Sequence, residues 1–292
     1  MCPATFAKGT FVAAGERLFG FESSGLTSSS PDGTSTTIVA EGAIQFAATD
    51  GKQVAWIDGC SMFSTDIGRM PSYPWSPCIG FEEPTPSALA AERRGVWVGF
   101  SAGPRSAPFV AFYPWIGAST TRASLSSGDD GPRSLVVAGD RLLMVHENAV
   151  VALQDGSFRT LHAPTDARLD SGKSPSLVQT PGGLLLRETT FARGRPHVRL
   201  RTLDPFTGAV GAAYELDELV MDAASFADPT GLITAEEVWD ERLERHWIEV
   251  RRHVHTGNSE LLTRCEGDGG PRAIAVVAGR IVFATNDGVR SL

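Results

Sequence analysis

Apolar residues in this chain come in short, near-continuous runs, and one unit recurs: an apolar run, a tight turn with glycine, a second apolar run. It reads Phe11-Val12-Ala13-Ala14-Gly15-Glu16-Arg17-Leu18-Phe19 first, then Phe46-Ala47-Ala48 through Gly51 to Val54-Ala55-Trp56-Ile57. Leu89-Ala90-Ala91 turns through Gly95 into Val96-Trp97-Val98, and Leu135-Val136-Val137-Ala138-Gly139-Asp140-Arg141 continues into Leu142-Leu143-Met144-Val145. The fifth and sixth copies turn at Gly183 before Leu184-Leu185-Leu186 and at Gly231 before Leu232-Ile233. Ile274-Ala275-Val276-Val277-Ala278-Gly279-Arg280-Ile281-Val282-Phe283 nearly repeats the fourth. Runs this short, bounded by turn residues and without a helical period, predict buried strands joined as hairpins.

The turn glycines are 36, 44, 44, 44, 48 and 48 residues apart, a period that spans the whole sequence. Between the repeated hairpins lie segments suited to two outer strands. Asn148-Ala149-Val150-Val151-Ala152-Leu153 and Phe158-Arg159-Thr160-Leu161 flank an Asp155-Gly156 turn, and His197-Val198-Arg199-Leu200-Arg201 alternates as a half-exposed strand does. A period in the forties built of four short strands resembles the β-propeller, in which radial blades bury both faces of their inner strands. The resemblance is to the architecture and covers the whole chain. It implies one all-β domain over residues 1–292: seven four-stranded antiparallel blades, or six if the short first repeat is an accessory hairpin. The last repeat ends one strand short at Leu292, so the N-terminal Pro3-Ala4-Thr5-Phe6-Ala7 is expected to supply the missing strand and close the ring. The one helical candidate, Glu236 to Trp247, reads better as a hairpin turning at Asp240-Glu241-Arg242.

Composition narrows the function classes. A formal net charge of −8 disfavours nucleic acid and anionic lipid as partners, and no apolar run reaches the roughly 20 residues of a membrane span. Four cysteines, none in a Cys-x-x-Cys pair, fit an oxidising compartment, with Cys60 and Cys78 the expected disulfide around a proline-rich loop. Cys2 and Cys265 lie near the chain ends, where ring closure would bring them together. The Met1-Cys2 start resembles a processed bacterial lipoprotein, with Cys2 as the lipid-bearing residue; the other reading is an initiator methionine followed by cysteine. The expected location is extracytoplasmic.

Motifs for nucleotide, dinucleotide, serine-nucleophile or zinc chemistry are lacking, and no cofactor or metal is expected. His253 and His255 share a strand face with Arg251 and Glu249, which reads as a solvated outer strand. Tyr73-Pro74-Trp75 and Tyr113-Pro114-Trp115 recur 40 residues apart and read as packing wedges between blades. The connections between second and third strands are extended in three blades and carry arginines suited to carboxylates, phosphates or acidic surfaces. Arg105, Arg193, Arg195 and Arg242, with His146 at the equivalent point of the intervening blade and Trp239 beside Arg242, are therefore the candidate ligand-binding residues. Two function classes follow: a noncatalytic propeller binding a protein, peptide or glycan, or a propeller lyase or hydrolase with its site at the channel mouth.

Overall fold

A computed structural model describes residues 10–22, 24–58, 61–66, 68–69, 84–103, 106–116, 120–125, 131–163, 175–192, 195–216, 220–255, 258–267 and 270–292. They form seven antiparallel sheets arranged as the blades of a propeller: residues 10–41, 44–69, 86–124, 134–162, 176–215, 220–266 and 273–291. Six blades have four strands in simple sequence order, and the seventh has three among the described residues. Pro3–Ala7, the segment expected to complete that seventh blade, lies outside the described residues, as do Cys2, Cys60 and Cys78.

The innermost strands run Thr10–Ala14, Ile44–Thr49, Pro86–Glu92, Ser134–Ala138, Ser176–Thr180, Val220–Asp228 and Ala273–Val277. Each touches the innermost strand of the next blade, and the last touches the first, so the ring is closed. The recurring glycines sit at the hairpin turns after these strands. Six of the seven adopt positive φ, from 58° at Gly15 to 149° at Gly231, a conformation other residues adopt at a cost.

Near-continuous apolar runs are explained by the packing between blades. Seven separate hydrophobic clusters occupy the seven blade interfaces. Between blades 4 and 5, for example, Leu143, Val145 and Val150 meet Leu177, Leu184 and Leu186. Opposite faces of one strand serve different interfaces: Leu143 belongs to the 4–5 cluster, while its neighbours Leu142 and Met144 belong to the 3–4 cluster. A strand buried on both faces cannot alternate with polar residues, which is why the period-2 signal is missing there. The outer strands do alternate or turn polar, as in Ser157–His162.

Tyr113 and Trp115 behave as the packing wedge expected of them: both are buried, and the Trp115 indole donates to the Glu92 carbonyl at 2.9 Å. Tyr73-Pro74-Trp75 lies outside the described residues. The hairpin at Asp240 is confirmed, with strands Gly231–Asp240 and Arg245–His255 around a four-residue turn. One expectation is corrected. The face carrying Glu249 and His253 is not solvated: both are buried, His253 facing Tyr214 of blade 5. Its charges are met by partners, Glu249 by Arg251 and Arg264, and His253 by Glu236.

Candidate functional site

Blades 5 and 6 differ from the rest in their second hairpins. The second strand has ten residues in each (Gly183–Ala192 and Gly231–Asp240) against five or six in the other blades. Four extra residues at about 3.4 Å each lengthen these two hairpins by roughly 14 Å on the side of the second-to-third-strand connections, and in blade 6 the flanking strands follow as far as Val238 and Trp247. Threonine, valine and tryptophan in Glu188-Thr189-Thr190 and Val238-Trp239 favour the extended backbone, so the ribbons continue past the ring. Arg187 of blade 5 reaches across to the Asp222 carboxylate at the start of blade 6, an ion pair that ties the two bases together.

The tip of the blade 6 ribbon is built around Asp240. Its Oδ1 accepts the backbone N–H groups of Arg242 and Leu243, each at 3.1 Å, and Glu244 takes positive φ to complete the turn. Burial is the largest influence on this carboxyl and opposes ionisation, but the Leu243 and Arg242 amides and the Arg264 charge together hold it below the usual carboxylate range. The turn therefore stays formed at neutral pH and presents Arg242 and Leu243 to solvent, Leu243 with 49% of its surface exposed.

Aromatic rings flank the ribbon on both faces. Trp239 packs on His246 with centroids 4.8 Å apart, and His246 Nδ1 lies 2.9 Å from Glu237. On the other face, the Arg245 and Arg264 guanidiniums lie 4.1 and 4.5 Å from the Trp247 ring. Each also pairs with a carboxylate, Arg245 with Glu266 at 3.0 Å and Arg264 with Glu249 at 3.2 Å. This is a stiff, charged and aromatic projection, the kind of surface on which a few residues dominate recognition.

Of the residues expected to bind ligand, Trp239 and Arg242 come together on this hairpin, Trp239 half-buried and Arg242 exposed. Arg195 lies in the blade 5 ribbon, its backbone paired with Ala192. His146 ends the second strand of blade 4, buried, just before a tight turn at Glu147 and Asn148 whose φ angles of 47° and 64° mark a primed hairpin turn. Arg133 donates to the Asn148 amide oxygen there. Arg105 and Arg193 lie outside the described residues. Sequence reading passed over Trp247, Arg245 and Arg264, whose shared stack depends on cross-strand register; alternation along Arg245-His246-Trp247 was the available signal.

Along the axis runs a cavity of about 890 Å3, lined by the innermost strands of all seven blades and extending to their hairpin turns. Its walls are largely alanine, valine and leucine. The ionisable residues among its described lining are Asp50, Glu92 and Arg93, all at the turn end. Asp50 is occupied with the N–H groups of Lys52 and Gln53 at 2.8 Å, and Glu92 with Arg94 at 3.2 Å. Among the described residues, no three His, Cys, Asp or Glu side chains converge on a metal position.

No family model and no curated protein matches the sequence. The fold is similar to the extracellular domain of a hybrid two-component system from B. thetaiotaomicron, with a TM-score of 0.63 and 12% identity over 98% of this chain. This chain spans 38% of the length of that protein. It is similar at the same TM-score and identity to virginiamycin B lyase from Staphylococcus aureus, solved with quinupristin, covering 98% of this chain and 94% of the lyase. Dihydro-heme d1 dehydrogenase NirN matches at TM-score 0.58 and 11% identity, over 96% of this chain and 61% of that protein. Identities this low speak to the fold alone, and the three activities are unrelated.

Proposed function

We propose that this chain is a noncatalytic binding propeller that works outside the cytoplasm and takes a protein, peptide or glycan partner on its raised face. The observation that carries this reading is the pair of hairpins on blades 5 and 6, which stand about four residues above the ring. A projection of this kind costs stability that the ring does not require, and it displays arginine, leucine and indole groups where a partner can reach them. Trp239 and Arg242 are its anchors, and the proposal extends to Arg105, His146, Arg193 and Arg195. The competing lyase or hydrolase reading calls for acid–base groups gathered at an axial mouth; Asp50 and Glu92, at the turn end, are already engaged by the N–H groups of Lys52 and Gln53 and by Arg94.

Location is supported by chemistry. Cys265 is fully buried and disulfide-bonded, its partner outside the described residues, and such bonds persist mainly in oxidising compartments. An extracellular domain among the similar folds is compatible with this. A lipid carried by Cys2 belongs to the same proposal.

Photocrosslinking from the raised tip tests the reading. A benzophenone amino acid is placed at Leu243, or at Lys52 on the opposite face, in the producing cell. A discrete adduct from Leu243, absent from Lys52 and lost on adding Arg242→Glu, is expected. Equal adducts from both positions, or none from Leu243, would overturn it.

A further inference from the structure

The structure assigns a second binding site: a side cleft between the outer halves of blades 5 and 6, built to take one ring of a neutral, polyhydroxylated ligand such as a sugar. The cleft encloses about 210 Å3. One wall is the last strand of blade 5, Val210–Glu215, which contributes Tyr214 and Glu215, followed by Leu216. The other wall is blade 6, with Glu236 from its second strand, Arg251 and His253 from its third and Ser259 from its fourth.

Glu236 is the centre of the argument. It is 2% exposed yet lines the cleft, and its two oxygens are treated unequally. Oε1 accepts the Thr234 hydroxyl at 2.5 Å and lies 3.2 Å from His253 Nε2. Thr234 spends its one proton on Glu236, so its oxygen, 2.9 Å from the same His253 nitrogen, must accept from it. His253 therefore carries its proton on Nε2 and serves as a donor to both groups. Oε2 has no hydrogen bond among the described residues; its nearest cation is Arg251 Nε at 3.7 Å, beyond bonding reach.

Arg251 does not turn to it, because the guanidinium is already committed. Nε and Nη2 donate to Glu249 at 2.9 and 2.6 Å, and Nη1 to Ser259 at 3.2 Å. Oε2 is thus the carboxylate oxygen left open to a donor that arrives through the cleft. A hydroxyl supplies such a donor without adding charge to a cleft that already holds Glu215, Glu236 and Arg251. The remaining lining suits the rest of a sugar ring. Tyr214, edge-on to His253 at 6.1 Å, and Leu216 offer apolar surface for its C–H face, and Ser259 stands exposed at the rim as donor and acceptor.

None of these groups belongs to the raised tip, so this site and the face proposed above stand or fall separately. The test uses the intact chain with ring-labelled tyrosine. There are three tyrosines, and Tyr214→Phe identifies the Tyr214 signal. Glucose, galactose, mannose and N-acetylglucosamine are titrated in turn, with choline as a cationic comparison. Saturable movement of the Tyr214 signal by at least one sugar, with Tyr113 unmoved, is expected. Glu236→Gln, which keeps an acceptor for Thr234 and His253 but removes the charge, should weaken that binding about tenfold or more. Ser259→Trp plugs the rim from an exposed position, gives up only the contact from Arg251 Nη1 while Glu249 still holds that guanidinium, and should abolish the response, which keeps the test decisive if Glu236→Gln fails to fold. A Tyr214 signal unmoved by every sugar, movement by choline alone, or full binding in Ser259→Trp would overturn the assignment.

Discussion

Truncating Leu143 to alanine probes the radial packing on which the architecture depends. Leu143 is fully buried in the second strand of blade 4 and sits in the cluster that joins blade 4 to Leu177, Leu184 and Leu186 of blade 5. The substitution removes three carbons, worth about 2.4 kcal/mol in transfer free energy at roughly 0.8 kcal/mol each. The void adds to this, because strands held by ladders on both sides collapse only partly around it, and the total comes to about 3–4 kcal/mol. For a chain of 292 residues, that corresponds to a fall in Tm of roughly 5 °C. Equilibrium urea denaturation of Leu143→Ala should shift the midpoint at unchanged slope. Leu261→Ala, at a residue 46% exposed, should change stability by no more than about 0.5 kcal/mol. A loss below about 1 kcal/mol for Leu143→Ala, or one equal to the Leu261 control, would refute a tightly packed layer between these blades.

Burial holds the Tyr113 phenol neutral, pushing its pKa up to about 12 against a smaller opposing pull from Arg122. The folded state then binds that proton more tightly than the unfolded chain, so the contribution is complete below pH 10 and is lost as pH rises from 10 towards 12; Tyr113→Phe should flatten stability across that interval in denaturant titrations. In the exposed turn of blade 1, hydrogen bonds from Ser30 and Thr34 lower the Asp32 carboxyl to about 2, so its contribution is present above pH 3.8 and fades as pH falls towards 2. Asp32→Asn should therefore reduce the acid slope of stability between those limits, read by melting at stepped pH. Gly208 has φ 74°, and a Cβ there would meet the Leu161 carbonyl oxygen of blade 4 at 2.3 Å. Gly208→Ala should cost about 1–3 kcal/mol by thermal or chemical unfolding, whereas the same change at Gly156, where a Cβ meets nothing, should cost only the φ penalty.

Much of the architecture was written into residue order. Glycine at near-constant intervals between apolar runs determined seven hairpins, and the lack of alternation in Leu142-Leu143-Met144-Val145 announced strands buried on both faces. Those are local properties, since turn chemistry and hydrophobic period are decided within about ten residues. The raised hairpins were half legible: loops with arginine at the tip could be read, but not that Val238, Trp239 and their partners stay paired to the end and lift the tip above the ring. Tertiary structure alone decided the rest. Glu249 and His253 look like a solvated edge in sequence, and the setting of His253 depends on Tyr214 and Leu216 arriving from the neighbouring blade. The side cleft, the Arg187–Asp222 tie and the apolar axial cavity are all made by blades meeting. Such contacts join residues far apart along the chain, Arg187 and Asp222 by 35 positions, where the pattern along one strand holds no information about which face its neighbour will cover.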